Sequence, residues 1–421
     1  MTTVGVPRET APGERRVAVV PASVDVLVKA GVEVVVEAAA GQSAGFADEA
    51  YREKGARVAG RKEVLASDVV IHVRAFAAGQ ATLEHLHPEQ VVIGLFDPLG
   101  DPQTTRQLAE HGVTALAMDL MPRITRAQAM DALSSQATVA GYKAVILAAR
   151  ALPRMFPMLT TAAGTIPPAR AFIIGAGVAG LQAIATAKRL GAVVQAYDVR
   201  PAAREQVESV GARFVELPIE AVASEDAGGY AKALGEDFYR RQRHLMHTVV
   251  AASDVVITTA AVPGKPAPIL VTRDMTADMP QGSVIVDLAV ERGGNCEQSQ
   301  ADTVVTTENG ITILAPTNLA ATVPFHASSM YSRNISSFLL HLLAGGVVVV
   351  DTGDEITRET LLCRGGSVVH PRVQEALGLD EEAADVWDPG ARSPGLPPEA
   401  LTENGRGPVS QLEGRPGGGA G

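Results

Sequence analysis

Ala171-Phe-Ile-Ile-Gly-Ala-Gly-Val-Ala-Gly180, followed by Leu181-Gln-Ala-Ile184 and closed at Asp198, is the stretch that decides the fold. The apolar run 171–174 reads as a buried strand, and the glycines break it sharply. Composition is helical over 178–190, Gly191 stops the helix, and 193–197 is a second apolar strand that ends on an acid. Strand, glycine turn, helix, strand and acid is the order of a dinucleotide-binding βαβ unit. There Gly175 serves the tight turn, Gly177 lets the backbone approach a pyrophosphate, and Gly180 lets the helix lie close on the strand. The helix N-terminus favours the phosphate charge. Asp198 accepts from ribose hydroxyls and repels a 2′-phosphate, which predicts NAD(H) rather than NADP(H). Arg200 tempers that preference, because an arginine accommodates a phosphate. The same residues also fit a glycine-rich turn that holds no ligand.

Outward from this unit the alternation continues. Residues 214–217, 255–258, 284–287 and 304–305 read as further strands. Upstream, 3–6, 32–37, 69–73, 91–95 and 114–117 are apolar, β-branched runs separated by helical composition such as 21–29. Repeated βα units imply parallel sheets with helices on both faces. Two long helical stretches, 127–151 and 326–343, stand out, and Pro153, Pro157, Pro167 and Pro168 punctuate the run after the first. The expected fold is α/β, with two doubly wound Rossmann-like domains, a cleft between them and two long linking helices. The expected boundaries are 1–135 with about 330–380 for a discontinuous N-terminal domain, and 136–329 for the dinucleotide domain. Residues 389–421 are rich in Pro and Gly, cannot bury a core, and are expected to form a disordered tail.

At 421 residues the chain is too long for one ordinary core. Hydrophobic residues make up 46% and aromatics only 4%, which excludes global disorder and implies cores of small side chains. The 36 basic and 47 acidic residues leave a net charge of −11 without a basic run, so nucleic acid is not an expected partner. Cys296 and Cys363 form no CxxC and read as reduced thiols of a cytosolic protein; no metal is expected. Met1-Thr-Thr-Val-Gly-Val opens like a strand rather than a leader. The longest apolar stretch, 338–350, is interrupted by His341 and Gly345-Gly346 and falls short of the ~20 residues a bilayer span needs. A soluble polypeptide that docks on membrane partners fits these features.

A second motif lies upstream of the glycine loop: Arg123-Ile-Thr-Arg-Ala-Gln128-Ala-Met-Asp131-Ala-Leu-Ser134. Gln128, Asp131 and Ser134 recur at intervals of three, which on a helix puts them on one face near its start, with Arg123 in the preceding loop. Such a patch could hold a carboxamide and a ribose. The spacing also fits a capped helix with a solvated polar start, and the residues alone leave both readings open.

The run Met130-Asp-Ala-Leu-Ser-Ser-Gln-Ala-Thr-Val-Ala-Gly-Tyr-Lys-Ala-Val-Ile146 resembles a hallmark segment of the proton-translocating NAD(P) transhydrogenases, in the soluble NAD(H)-binding domain of their alpha subunit. Gly5-Val-Pro-Arg-Glu9, Gly13-Glu-Arg-Arg-Val17, the glycine loop through Ile184, and Val286-Asp-Leu-Ala-Val-Glu291 with Gly293-Gly-Asn295 agree, and the resemblance covers residues 1 to about 380. It implies that Arg123, Gln128, Asp131 and Ser134 form the catalytic set around the nicotinamide end of NAD(H). It implies that Gly175, Gly177, Val178, Gly180, Asp198, Val199, Arg200 and Ala260 hold the nucleotide. Tyr230, in Gly228-Gly-Tyr-Ala-Lys-Ala-Leu-Gly235, matches a tyrosine on a loop that closes over it, although a flexible surface loop has the same composition.

The activity so implied is direct hydride transfer, of the Si-Re (AB-specific) class, between NAD(H) on this chain and NADP(H) on a partner subunit. With one complete glycine fingerprint and no spanning segment in the sequence, a split alpha subunit is implied. Its partners would be a small membrane alpha component, a beta subunit that binds NADP(H), and a second copy of this chain in a homodimer. The location implied is cytoplasmic, peripheral on the cell membrane through those partners.

The fold also resembles alanine dehydrogenase, the main alternative. That activity needs an arginine, a lysine and an acid/base histidine. Arg15 or Arg16 could supply the first, but Arg74 stands at the lysine position and Asp97 where the histidine is expected. His72 lies within a strand and reads as a packed histidine. A nucleotide-binding sensor without turnover is the non-enzyme reading.

Overall fold

A computed structural model describes residues 1–74, 80–217, 235–261 and 264–379. Tyr230 and the expected tail at 389–421 lie outside the described residues. The chain opens with β1 (Thr3–Val6), α1 (Pro21–Lys29), β2 (Glu33–Glu37), α2 (Asp48–Glu53), β3 (Arg57–Ala59), α3 (Arg61–Leu65), β4 (Val69–Arg74), β5 (Val91–Leu95), α4 (Pro102–Glu110) and β6 (Thr114–Ala117). The long helix α5 (Ala132–Ala151) and a hairpin, β7 (Leu159–Thr161) with β8 (Gly164–Ile166), follow.

The second set begins with β9 (Arg170–Ile174), α6 (Val178–Arg189), β10 (Val193–Tyr197), α7 (Ala203–Ser209) and β11 (Arg213–Phe214). It continues through α8 (Glu236–Ala251), β12 (Val255–Thr258), α9 (Arg273–Ala277), β13 (Val284–Asp287), β14 (Val304–Thr306) and β15 (Thr312–Leu314). Then come α10 (Pro324–Leu342), a short hairpin of β16 (Leu343–Ala344) and β17 (Val347–Val348), α11 (Glu355–Thr360), β18 (Leu361–Arg364), β19 (Ser367–Val368) and α12 (Pro371–Leu377).

Two sheets result. The first runs β19-β18-β6-β5-β4-β1-β2-β3, parallel from β6 to β3, with β18 and β19 added antiparallel. The second runs β11-β10-β9-β12-β13-β15-β14, parallel except for β14. The fold is α/β with two Rossmann-like domains. Both faces of each sheet are buried, as the apolar runs require. Along β4, Val69, Ile71 and Val73 enter one core and Val70 the other. Along β9, Ala171 and Ile173 enter one core, Phe172 and Ile174 the other. That is the period-two alternation of a strand, with both sides apolar because helices cover both.

The structure corrects several expected boundaries. α5 starts at Ala132 rather than 127: residues Thr125–Met130 form a 3₁₀ turn and Asp131 is the N-cap. β11 is only Arg213–Phe214. β15, β18, β19 and both hairpins were not expected; they are too short to carry a period of their own. α5 packs on α6 and on α10. Among the described residues no helix is long and apolar enough to cross a membrane.

Candidate functional site

Strand register assembles the site. Ile174 of β9 pairs with Tyr197 of β10 on one side and Thr258 of β12 on the other. The residues just beyond, Gly175, Asp198 and Thr259, therefore emerge together at the carboxyl ends of the strands. β9 is the point where the strand order reverses, the place where ligands sit in open α/β sheets. Gly175 turns with φ 96°, and a Cβ there would meet Thr259 Oγ1. A Cβ on Gly180 would run into the Gly175 carbonyl, so helix α6 can lie this close to β9 only with glycine there.

A cavity of about 640 Å³ opens over this edge. Gly175, Gly177, Val178, Asp198, Val199, Arg200 and Ala260 line it from the second sheet. Leu133, Ser134 and Ala137 line it from the start of α5, and Arg123 from the chain ahead of the 3₁₀ turn. The two motifs read separately in the sequence thus border one space. A Cβ on Gly177 would meet nothing within 4 Å, and α6 begins there with no side-chain cap. Its first-turn N–H groups are available to an anion.

The carboxylate of Asp198 is buried, 8% exposed. Its Oδ2 accepts from the Ala176 N–H at 2.7 Å, which ties the acid to the glycine loop. Arg200 donates to both carboxylate oxygens, from Nε to Oδ1 at 2.9 Å and from Nη2 to Oδ2 at 3.0 Å.

The Arg-Gln-Asp-Ser residues do not share one helix face. Asp131 caps α5: it accepts from the Ser134 N–H at 2.9 Å and from Ser134 Oγ at 2.5 Å. Its carboxylate thereby fixes the hydroxyl that borders the cavity. Gln128 is exposed on the 3₁₀ turn, and neither it nor Asp131 is among the lining residues.

Several residues that complete the site carry no sequence motif. Thr259 donates to the Gly175 carbonyl at 3.1 Å. Tyr239 and Gln242 reach the cavity from α8, and the amide oxygen of Gln242 is buried with no hydrogen-bond partner among the described residues. Burial pushes the neighbouring Tyr197 phenol up to about 12, while Gln242 opposes the shift. The loop at Ala260 is held from below: Asn295 accepts from its N–H at 3.0 Å and donates to its carbonyl at 2.8 Å. Asn295 is in turn held by Asp287, fully buried, which accepts from Asn295 N–H, Cys296 N–H, Ala289 N–H, Thr258 Oγ1 and Ser299 Oγ. Five donors satisfy that charge where no water reaches it.

Of the residues weighed for amino-acid dehydrogenation, Asp97, His72 and Arg16 are otherwise engaged. Asp97, at φ 53°, is ion-paired with Arg292. His72 is 4% exposed with Nδ1 3.6 Å from Glu9. Arg16 is 3% exposed and donates to Glu14, Gln136 and Asn318. Among the described residues no group of His, Cys, Asp and Glu could hold a metal ion.

Comparison with known proteins matches residues 5–140 to the N-terminal domain and 144–371 to the C-terminal domain of the alanine dehydrogenase/PNT family. The chain is 44% identical over 376 residues to the first segment of NAD(P) transhydrogenase subunit alpha from Rhodospirillum rubrum, a match that covers 87% of this chain and 98% of that one. A solved transhydrogenase from Sinorhizobium meliloti superposes with a TM-score of 0.78 at 45% identity, covering 87% of this chain and all of that one. A solved L-alanine dehydrogenase superposes with a TM-score of 0.75 at 26% identity, covering 89% and 99%.

Proposed function

Because the chain belongs to the alanine dehydrogenase/PNT family, we propose that it is the NAD(H)-binding component of a proton-translocating NAD(P) transhydrogenase. The observation that carries this reading is the single cavity bordered both by the glycine loop with Asp198 and by Arg123 with Ser134. The identities to transhydrogenase alpha chains, higher than those to alanine dehydrogenases, support it.

The residues present suit a nicotinamide dinucleotide. The open approach at Gly177 and the uncapped start of α6 would meet the pyrophosphate, with Val178 and Ala260 on either side. Asp198, with Val199 and Arg200, would meet the adenosine ribose. Arg123, Gln128, and Ser134 held by Asp131 would orient the nicotinamide end. Tyr230 is the residue we assign to closing the site. A bound nicotinamide supplies a hydride with its electron pair, and no proton is exchanged at the reacting carbons. The chain therefore needs to bind, orient and exclude water, without a general acid or nucleophile. The hydride is exchanged with NADP(H) on a beta subunit, in the Si-Re class, with proton translocation coupled through that subunit and a membrane alpha component.

Oxidation of alanine is the weaker reading. Asp97 stands where a proton-delivering histidine would be needed, and Arg292 pairs with it. We assign α5 and α10 as the linking helices, and 1–135 with about 330–380 and 136–329 as the two domains. Placement at a membrane follows from the proposed partners. The homodimer has a candidate surface in the hairpin of β7 and β8, where Leu159 and Ile166 are 36% and 42% exposed and the preceding Met158 is 61% exposed. A two-stranded arm is marginal alone. Ultracentrifugation is expected to give twice the chain mass, and the mass of one chain would remove this assignment.

The test is a mixing assay. The purified chain, with a recombinant NADP(H)-binding transhydrogenase domain, is expected to catalyse NADPH-dependent reduction of the acetylpyridine analogue of NAD+. Turnover of alanine with NAD+ in the absence of that domain would overturn the proposal.

A further inference from the structure

Asp198 is cast as an acceptor for ribose hydroxyls, yet its carboxylate already has four donors. Oδ1 accepts from the Arg200 N–H at 2.8 Å and from Arg200 Nε at 2.9 Å. Oδ2 accepts from the Ala176 N–H at 2.7 Å and from Arg200 Nη2 at 3.0 Å. An ionised carboxylate offers about four lone-pair positions, the number these donors take, so a ribose hydroxyl would compete with one of them. Two of the donors are backbone N–H groups fixed by the glycine loop and by the turn after β10. The other two belong to one side chain, which is 17% exposed and lines the same cavity.

We propose that Arg200 is a displaceable internal counter-ion. It occupies the ribose-facing positions of Asp198 until the two adenosine ribose hydroxyls take over the places of Nε and Nη2. The inference rests on reading the cavity as a nucleotide site and adds a specificity-determining residue to it. Its logic is that of a buried charge. Without Arg200 the carboxylate would face the cavity with two unmet positions, which is costly at low exposure. With Arg200 the carboxylate is satisfied, and each nucleotide must break a bidentate fork to bind.

Two consequences follow. Affinity for NADH reflects an exchange of donors rather than a pure gain. The displaced guanidinium also stays beside the ribose, where it offsets some of the repulsion between Asp198 and a 2′-phosphate. Discrimination between the two dinucleotides is thus set by the pair, not by Asp198 alone.

The direct test is NMR on the full-length chain with arginine labelled at Nε. Saturating AMP is expected to move the Arg200 Nε–H signal and speed its exchange with water, whereas nicotinamide mononucleotide should leave it in place. An unmoved signal with AMP bound would overturn the inference. Calorimetry supplies the second readout. Arg200→Met is expected to bind NADH and AMP roughly fivefold more tightly and NADPH more weakly, about the size of one partly buried ion pair. Equal or weaker binding of NADH by this variant would also overturn it. Failure of the unaltered chain to bind NADH or AMP at all would instead remove the nucleotide reading of the cavity, and the inference with it.

Discussion

Asp198 joins the loop it follows through the Ala176 N–H and the side chain of Arg200, so its charge serves two purposes that mutation can separate. Asp198→Asn keeps the shape and removes the charge. It is expected to weaken NADH binding and narrow the gap between NADH and NADPH, measured by fluorescence titration of both; unchanged selectivity would sink the assignment. Asp131 allows a similar separation. As N-cap of α5 it accepts from the Ser134 N–H and Oγ. Asparagine caps nearly as well as aspartate, whereas alanine costs about 1 kcal/mol of stability. Asp131→Asn should therefore fold like the parent and slow hydride transfer more than it weakens NADH binding, while Asp131→Ala should also lower the urea midpoint. Equal losses in turnover and binding for the asparagine variant would assign Asp131 to uniform binding.

Among elements, the contact between α5 and α6 constrains the site, because the start of α5 brings Ser134 to the cavity and α6 begins beneath the glycine loop. The approach is set at Gly141, where a Cβ would collide with the backbone carbonyl of Ala179. Ala in place of a helical Gly normally gains about 1 kcal/mol. Here the clash should reverse the sign: Gly141→Ala is expected to destabilise by about 1–3 kcal/mol and to weaken NADH binding, both read from urea unfolding with and without nucleotide. A stabilised variant would show that α5 can shift freely over α6. Elements of this kind were legible where local chemistry was strong. The β-branched runs at 91–95, 255–258 and 284–287 and the glycine turn announced themselves, and β1, β5, β10 and β12 have the expected bounds. The 3₁₀ turn ahead of α5 was not legible, since Ala127 and Met130 suit a helix and only the capping geometry of Asp131 ends it. Thr259, Tyr239 and Gln242 were invisible for another reason: strand register and the docking of α8, not sequence neighbours, bring them to the cavity.

Across the whole molecule, one buried network joins the start of the chain to both long-helix regions. Arg16 Nη1 donates to Gln136 of α5 at 2.8 Å, and Nη2 donates to Glu14 at 2.6 Å and to Asn318 at 2.8 Å; Asn318 returns a hydrogen bond to Glu14 at 2.9 Å. Burial alone would raise the Glu14 pKa, but the hydrogen bonds and charge of Arg16, with Asn318, hold it below the usual carboxylate range. A depressed carboxylate contributes stability above its unfolded value, 4.5, and loses that contribution as pH falls through the folded value. His370 acts in the same direction. Desolvation, aided by the charge of Arg372, pushes it down to about 4 from 6.5. The unfolded chain thus binds the proton more strongly, and stability declines as pH falls from 6.5 toward 4. Replacing Glu14 by Gln strands the Arg16 charge in the interior, at a cost of about 3 kcal/mol or more. The double variant Glu14→Gln with Arg16→Met removes both charges and should recover much of that loss. The single variant should also show a flatter acid limb below pH 4.5, because the titrating group is gone. Urea midpoints at neutral pH and at pH 4 test both statements. Additive losses in the double variant would mean that the two side chains are not coupled, and that the lobes are held by packing along α5 and α10 instead.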